Sequence, residues 1–206
     1  MDIKLRFVNK SNDGNKSEVV VYQKNVLTTM ASLSVAWKVI RYCGRDCTHP
    51  FVYPDGYEVS ITDGHANFTP RLKAQNGQML SLVTTPTGGR RLLYTGPASA
   101  STELDVLNSM SQGAVDICIF KDGRLMGVKT SVSPGQKAVF QYQPALWIGV
   151  ASEIVQGQPM SSAVMSNINT EISLIGIAGA DIVMSGGGPG EGSTPYEFNL
   201  DNIVPI

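Results

Sequence analysis

Only two histidines and three cysteines are available for nucleophilic, redox or metal chemistry in this 206-residue chain: His49, His65, Cys43, Cys47 and Cys118. They are densest in Cys43-Gly44-Arg45-Asp46-Cys47-Thr48-His49. Two thiolates and an imidazole can supply three ligands of a tetrahedral zinc site, with Arg45 lowering the thiol pKa values. The spacing is C-x3-C with no second pair, so a fourth ligand has to come from His65 or Cys118. The metal candidates are therefore Cys43, Cys47, His49 and His65. The competing expectation, which weighs more, is a loop after a strand with Cys43 tucked in as a small apolar residue.

Other chemistry is thinner. Thr62-Asp63-Gly64-His65 sets an imidazole near a carboxylate on a loop, but no G-x-S-x-G elbow accompanies it. Ser185-Gly186-Gly187-Gly188-Pro189-Gly190-Glu191-Gly192 matches neither phosphate-binding glycine pattern, and no helix follows it to meet an anion. It reads as a loop between strands. Arg41, Arg45, Arg90 and Arg91 lie near Tyr42 and Tyr94, too small a set for a nucleic-acid groove. Trp37 and Trp147 sit among apolar neighbours and read as core anchors. No coherent catalytic constellation emerges, so the chain is expected not to be an enzyme and to need no cofactor.

The elements that carry these residues are strands. Ile3, Leu5 and Phe7 alternate with Lys4 and Arg6, the pattern of a half-buried strand. Val19, Val20, Val21 and Tyr22 form a β-branched run suited to a sheet interior. Asp122-Gly123 between apolar runs is a two-residue hairpin signal. About twelve strands recur, and residues 101–110 form a possible short helix. The expected fold is all-β: a two-sheet antiparallel β-sandwich, jelly-roll-like, with two fused or duplicated β halves as a variant. The halves are residues 1–95 and 114–206, joined by a loop or short helix over 96–113; one compact domain is the other option. Val-Val-Val-Tyr-Gln-Lys (19–24) resembles Ile-Cys-Ile-Phe-Lys-Asp (117–122), and a Trp-bearing strand follows each.

Asn9-Lys10-Ser11-Asn12 before residues 19–24, then Ser34-Val35-Ala36-Trp37, resembles the opening of the bacterial RhiA-type (rhizosphere-expressed) proteins. Pro134-Gly135-Gln136 to Phe140 and Pro144-Ala145-Leu146-Trp147-Ile148 resemble their second half. The resemblance covers about half the chain in short blocks, and it implies an all-β fold and no catalytic residue. The Cys43–His49 segment and the 185–192 glycine loop lie outside the pattern.

Charge completes the picture. The total of −1 hides a division: residues 1–95 carry 12 Lys/Arg against 7 Asp/Glu, net +5, and residues 96–206 carry 4 against 10, net −6. No global charge draws the chain to nucleic acid or an anionic membrane. With no apolar leader run and an odd, sparse cysteine count, a cytoplasmic location is expected. The favoured function is a non-catalytic structural protein. It assembles into homo-oligomers or filaments through edge strands and complementary charge, with Ile3, Leu5, Phe7, Tyr196, Phe198, Ile203, Val204 and Ile206 as interface candidates. A lectin-like carbohydrate-binding module is the alternative, with loops bearing Asp63, His65, Trp37 or Tyr57. A small hydrolase or metal-dependent enzyme is third.

Overall fold

The computed structural model describes residues 1–14, 17–27, 32–63, 65 and 67–206. Gly64, part of the Asp63-Gly64 turn expected from sequence, lies outside the described residues.

The chain is all-β. In β1 (Ile3–Asn9) the alternation sends Ile3, Leu5 and Phe7 inward and Lys4 and Arg6 outward. All four residues of β2 (Val19–Tyr22) are buried, as expected of a strand covered on both faces. The chain continues through β3 (Ser32–Ser34), β4 (Lys38–Ile40), β5 (Thr48–Tyr53), β6 (Tyr57–Thr62), β7 (Leu72–Ala74), β8 (Gln78–Thr84) and β9 (Arg90–Pro97). Then come β10 (Leu104–Asn108), β11 (Val115–Lys121), β12 (Arg124–Val132), β13 (Lys137–Phe140), β14 (Ala145–Val150), α1 (Ser162–Asn167), β15 (Thr170–Ser173), β16 (Ile177–Gly187) and β17 (Thr194–Pro205). Asp122 and Gly123 both have positive φ, as the tight turn between β11 and β12 requires. Residues 104–108 are a strand and not the short helix expected there, because Leu104 and Val106 are buried on a parallel partner, β8. Helix α1 is the one α-helix among the described residues, and none of these helices is long and apolar enough to cross a membrane.

The strands form two compact units. Unit 1 comprises Met1–Gln23, Ala36–Asp55 and Pro144–Ile206, with sheets ordered β17-β16-β1-β5 and β15-β14-β2-β4. Unit 2 comprises Lys24–Val35 and Gly56–Gln143, with sheets ordered β13-β10-β8-β9 and β3-β12-β11-β6-β7. The chain passes between units four times, so neither unit coincides with a sequence half. Counted by unit, the charge is redistributed. Unit 1 has 7 Lys/Arg against 11 Asp/Glu, net −4, and unit 2 has 9 against 6, net +3.

The two units repeat one topology. In unit 1, β1 runs parallel to β16, and each has an antiparallel edge partner, β5 and β17. In unit 2, β10 runs parallel to β8, with edge partners β13 and β9. The second sheets match as well: β4-β2-β14-β15 corresponds to β12-β11-β6-β7, and β3 is an addition on β12. In chain order the strands before β6 correspond to β10–β13, and β6–β9 correspond to β14–β17. In strand topology the chain thus repeats in tandem: the first block of repeat one closes with the second block of repeat two, and the two middle blocks close with each other. The resemblance of 19–24 to 117–122 is the match of β2 to β11. The two tryptophans do not match: Trp147, opposite Tyr22, stands where Glu58 does opposite Phe120, and Trp37 precedes β4, whose counterpart β12 holds no tryptophan.

Equivalent asparagines fasten each unit. Asn9 donates from Nδ2 to the Cys43 carbonyl (2.7 Å), and its Oδ1 accepts from the Ser11 N–H (2.9 Å). Asn108 donates from Nδ2 to the Val132 carbonyl (2.9 Å), and its Oδ1 accepts from the Met110 N–H (3.1 Å). Their backbones match too: Asn9 N–H donates to Cys47 (3.1 Å) and Asn108 N–H to Gln136 (3.0 Å), while Asp46 N–H donates back to Asn9 (2.7 Å) and Gly135 N–H to Asn108 (2.8 Å). Asp46 and Gly135 share a left-handed φ. Both asparagines are buried, and these bonds satisfy their side-chain amides along with the carbonyls that accept from them.

In the unit 1 core, Trp37 is fully buried with the rings of Phe51 and Tyr53 edge-on, each 6.1 Å away. In unit 2 the fully buried set includes Leu80, Leu82, Leu104, Ile117, Ile119, Met126 and Phe140. Each such side chain contributes about 1.5–3 kcal/mol on burial.

Candidate functional sites

The Cys43–His49 segment is the link from β4 into β5. Cys43 is half-buried, Cys47 is exposed, and His49 lies in β5 opposite Phe7. Burial, reinforced by neighbouring Cys47, pushes the Cys43 thiol up, away from a reactive thiolate. Arg45 does not activate it: its Nη1 donates to Asn12 Oδ1 at 2.9 Å. Lys10 is paired with Asp46 at 2.8 Å. Among the described residues no three His, Cys, Asp or Glu side chains are placed to hold a metal ion, so Cys43, Cys47, His49 and His65 are not gathered into a centre. His65 and Cys118 belong to unit 2, and burial pushes the Cys118 thiol up to about 11. Asn9 is what organises the segment, through the three bonds described above.

Ser185, Gly186 and Gly187, expected in the glycine loop, are instead the end of β16, paired with the start of β17, and are structural there. Asn12 N–H donates to the Gly186 carbonyl at 2.7 Å. Gly186 and Gly187 have positive φ, and a Cβ on them would strike the Pro195 carbonyl and the Tyr196 ring. Only glycine lets the chain close that tightly on the start of β17.

Trp37 and Tyr57, offered as sugar platforms, are buried, Tyr57 beneath the Lys121 ammonium at 4.6 Å. Asp63 does border a cavity, in unit 2, of about 220 Å³, whereas His65 is not part of its lining. Its lining includes Asp63, Asn67, Phe68, Pro70, Gly88 and Arg90. The Asp63 carboxylate accepts from the His65 N–H (3.0 Å) and from Asn67 Nδ2 (3.2 Å to Oδ2), and lies 3.5 Å from Arg90 Nη1. The His65 N–H first, then the Asn67 amide, hold Asp63 below the usual carboxylate range. Phe68 beside them is 58% exposed. Sequence reasoning missed Asn67, Phe68 and the cavity role of Arg90. The signal present was the run Asp63 to Phe68, and nothing in it located the β8–β9 turn opposite.

The interface candidates separate cleanly. Ile3, Leu5 and Phe7 are corrected: β1 is flanked by β16 and β5, so it offers no free backbone edge, and all three side chains are buried. Strand β17 is an edge. In it Phe198 is buried and Tyr196 half-buried, while Ile203, Val204 and, just beyond the strand, Ile206 are exposed. Arg41 is engaged by Glu18 at 2.7 Å, and Arg41 and Arg45 lie in the other unit from Arg90 and Arg91.

Comparison with known proteins finds no match among family models, curated proteins or solved structures.

Proposed function

We propose that the protein is a non-catalytic, self-assembling β protein in which β17 of one copy pairs with β9 of the next. The observation that carries this reading is the pairing of length and charge at the sheet edges. Among the described strands, β17 is the longest edge strand of unit 1 and β9 the longest of unit 2. They occupy equivalent places in the two repeats. β17 carries Glu197 and Asp201 and no base; β9 carries Arg90 and Arg91 and no acid. Edge charges guard a strand against copies of itself. They favour an edge of opposite sign, so β17–β17 and β9–β9 contacts are disfavoured and β17–β9 is selected. Tyr94 on β9 and Ile203 and Val204 on β17 add exposed apolar surface to the contact. Such a heterologous contact closes into a ring or runs on as a filament.

Size-exclusion chromatography and negative-stain microscopy at low salt and about 1 M salt test it, since screening shortens from about 10 Å to about 3 Å. Assembly is expected at low salt and is weakened at high salt. Glu197→Lys and Arg91→Glu should each reduce association at least tenfold, and the two together in one chain should restore it. A wild-type monomer at every salt concentration, or a double variant that stays monomeric while the singles lose assembly, refutes the pairing.

A further inference from the structure

The cavity between the β6–β7 connection and the β8–β9 turn shares Arg90 with the β9 edge and has the chemistry of a ligand site of its own. At about 220 Å³ it is smaller than the roughly 300–1,000 Å³ pockets that take drug-sized ligands. It accommodates one small ring. Its polar groups converge on one wall: the Asp63 carboxylate, the Asn67 amide and the Arg90 guanidinium. The His65 N–H, the Asn67 amide and Arg90 already take most of the about four acceptor positions of the Asp63 carboxylate, so a ligand hydroxyl meets it in exchange with Asn67 or Arg90. The apolar part of the lining includes Phe68, more than half exposed, and Pro70.

Charge decides among ligand classes. Asp63 repels phosphate, sulfate and carboxylate, and Arg90 repels cations; the pair together is neutral. A neutral ring with donors and acceptors on one side and C–H groups on the other satisfies both walls. The geometry points to a neutral pyranose as the ligand, its vicinal hydroxyls donating to Asp63 and accepting from Asn67 and Arg90 while its C–H face lies on Phe68. The equivalent corner of unit 1 lacks these groups. There the β14–β15 connection, residues 151–169, carries α1 and packs Met160 and Ile168 against Val20, Tyr22 and Ala36.

NMR titration of the full chain with the methyl glycosides of glucose, galactose and mannose, and separately with glucuronate, tests the assignment. Saturable shifts at Asn67 and Phe68 with at least one neutral glycoside are expected, at a Kd of about 1 mM. Phe68→Ala should weaken that binding at least tenfold, Phe68→Tyr should preserve it, and Asp63→Asn should abolish it. Phe68 is exposed, so its replacement leaves the melting temperature in place and separates lost binding from lost folding. Absence of saturation by about 100 mM for every neutral glycoside overturns the inference. So does binding that survives Phe68→Ala, and so does a response to glucuronate alone.

Discussion

Unit 1 and unit 2 share strand order, parallel pairing and the buried asparagine clasp, and they differ in what covers their second sheet. In unit 1 the position opposite Tyr22 is Trp147, and an apolar layer from the 151–169 connection covers both. In unit 2 the position opposite Phe120 is Glu58, and Arg71 lies 3.8 Å over the Phe120 ring while reaching Glu58 at 3.3 Å. One topology thus tolerates an oily cover or a cationic clamp, because the sheet's hydrogen bonding is indifferent to which side chains meet above it. The short 63–71 connection that makes the clamp also leaves the cavity beside Asp63. The structural difference between the repeats at this sheet resides in the length of one loop.

Core truncation should break the equivalence most forcefully. Trp37→Ala is expected to cost about 3–5 kcal/mol and Met126→Ala about 2–5 kcal/mol, each in its own unit. Both tryptophans lie in unit 1, so their fluorescence reports that unit, while far-UV circular dichroism reports both. Trp37→Ala should move the fluorescence transition. Met126→Ala should move the dichroism transition further than the fluorescence one; coincident shifts would mean that the units unfold as one.

The asparagine clasps should sharpen it. Asn9→Ala leaves the Cys43 carbonyl, and Asn108→Ala the Gly113 and Val132 carbonyls, without this donor, at about 1–3 kcal/mol each. The larger loss in denaturant midpoint is expected for Asn108→Ala; a larger loss for Asn9→Ala would break the equivalence of the clasps.

The smallest effect is confined to a pH window. Arg6 on β1 faces Asp181 at 2.5 Å, and the place equivalent to Arg6 on β10 holds Asp105, paired with Lys137 at 2.7 Å. Burial alone would raise the Asp105 carboxyl, but the bonds from Lys137 and Ser99 outweigh it and hold it below the usual range. A carboxyl lowered on folding stabilises above its unfolded pKa of about 3.9, and that stability is lost as pH falls through the folded value. Lys137→Met removes the counterweight, so burial should then dominate. Denaturation between pH 3.5 and 6 should show the variant gaining less stability with rising pH than wild type, or losing some.

Much of the fold was legible because period-2 alternation and the Asp122-Gly123 turn are local signals. Strand β10 was not, since Leu104, Val106 and Leu107 fit neither period and only the parallel partner β8 decides the matter. The placement of Ile3, Leu5 and Phe7 failed for a related reason: alternation gives the buried face of a strand but not whether a neighbour 175 residues away lies along its edge. The cavity needed Asp63 and Arg90 from different hairpins, a proximity that spacing cannot express.

The exchange of blocks between repeats sets an order of events during synthesis. Unit 2 is complete once residue 143 has emerged, whereas the strands before β6 that belong to unit 1 must wait for β14–β17. At about 5–20 residues per second, the interval spans several seconds, during which β1 and β2 have unpaired edges. In chain order unit 2 thus closes before unit 1, and β1 and β2, made ahead of it, gain their β16 and β14 partners only after it.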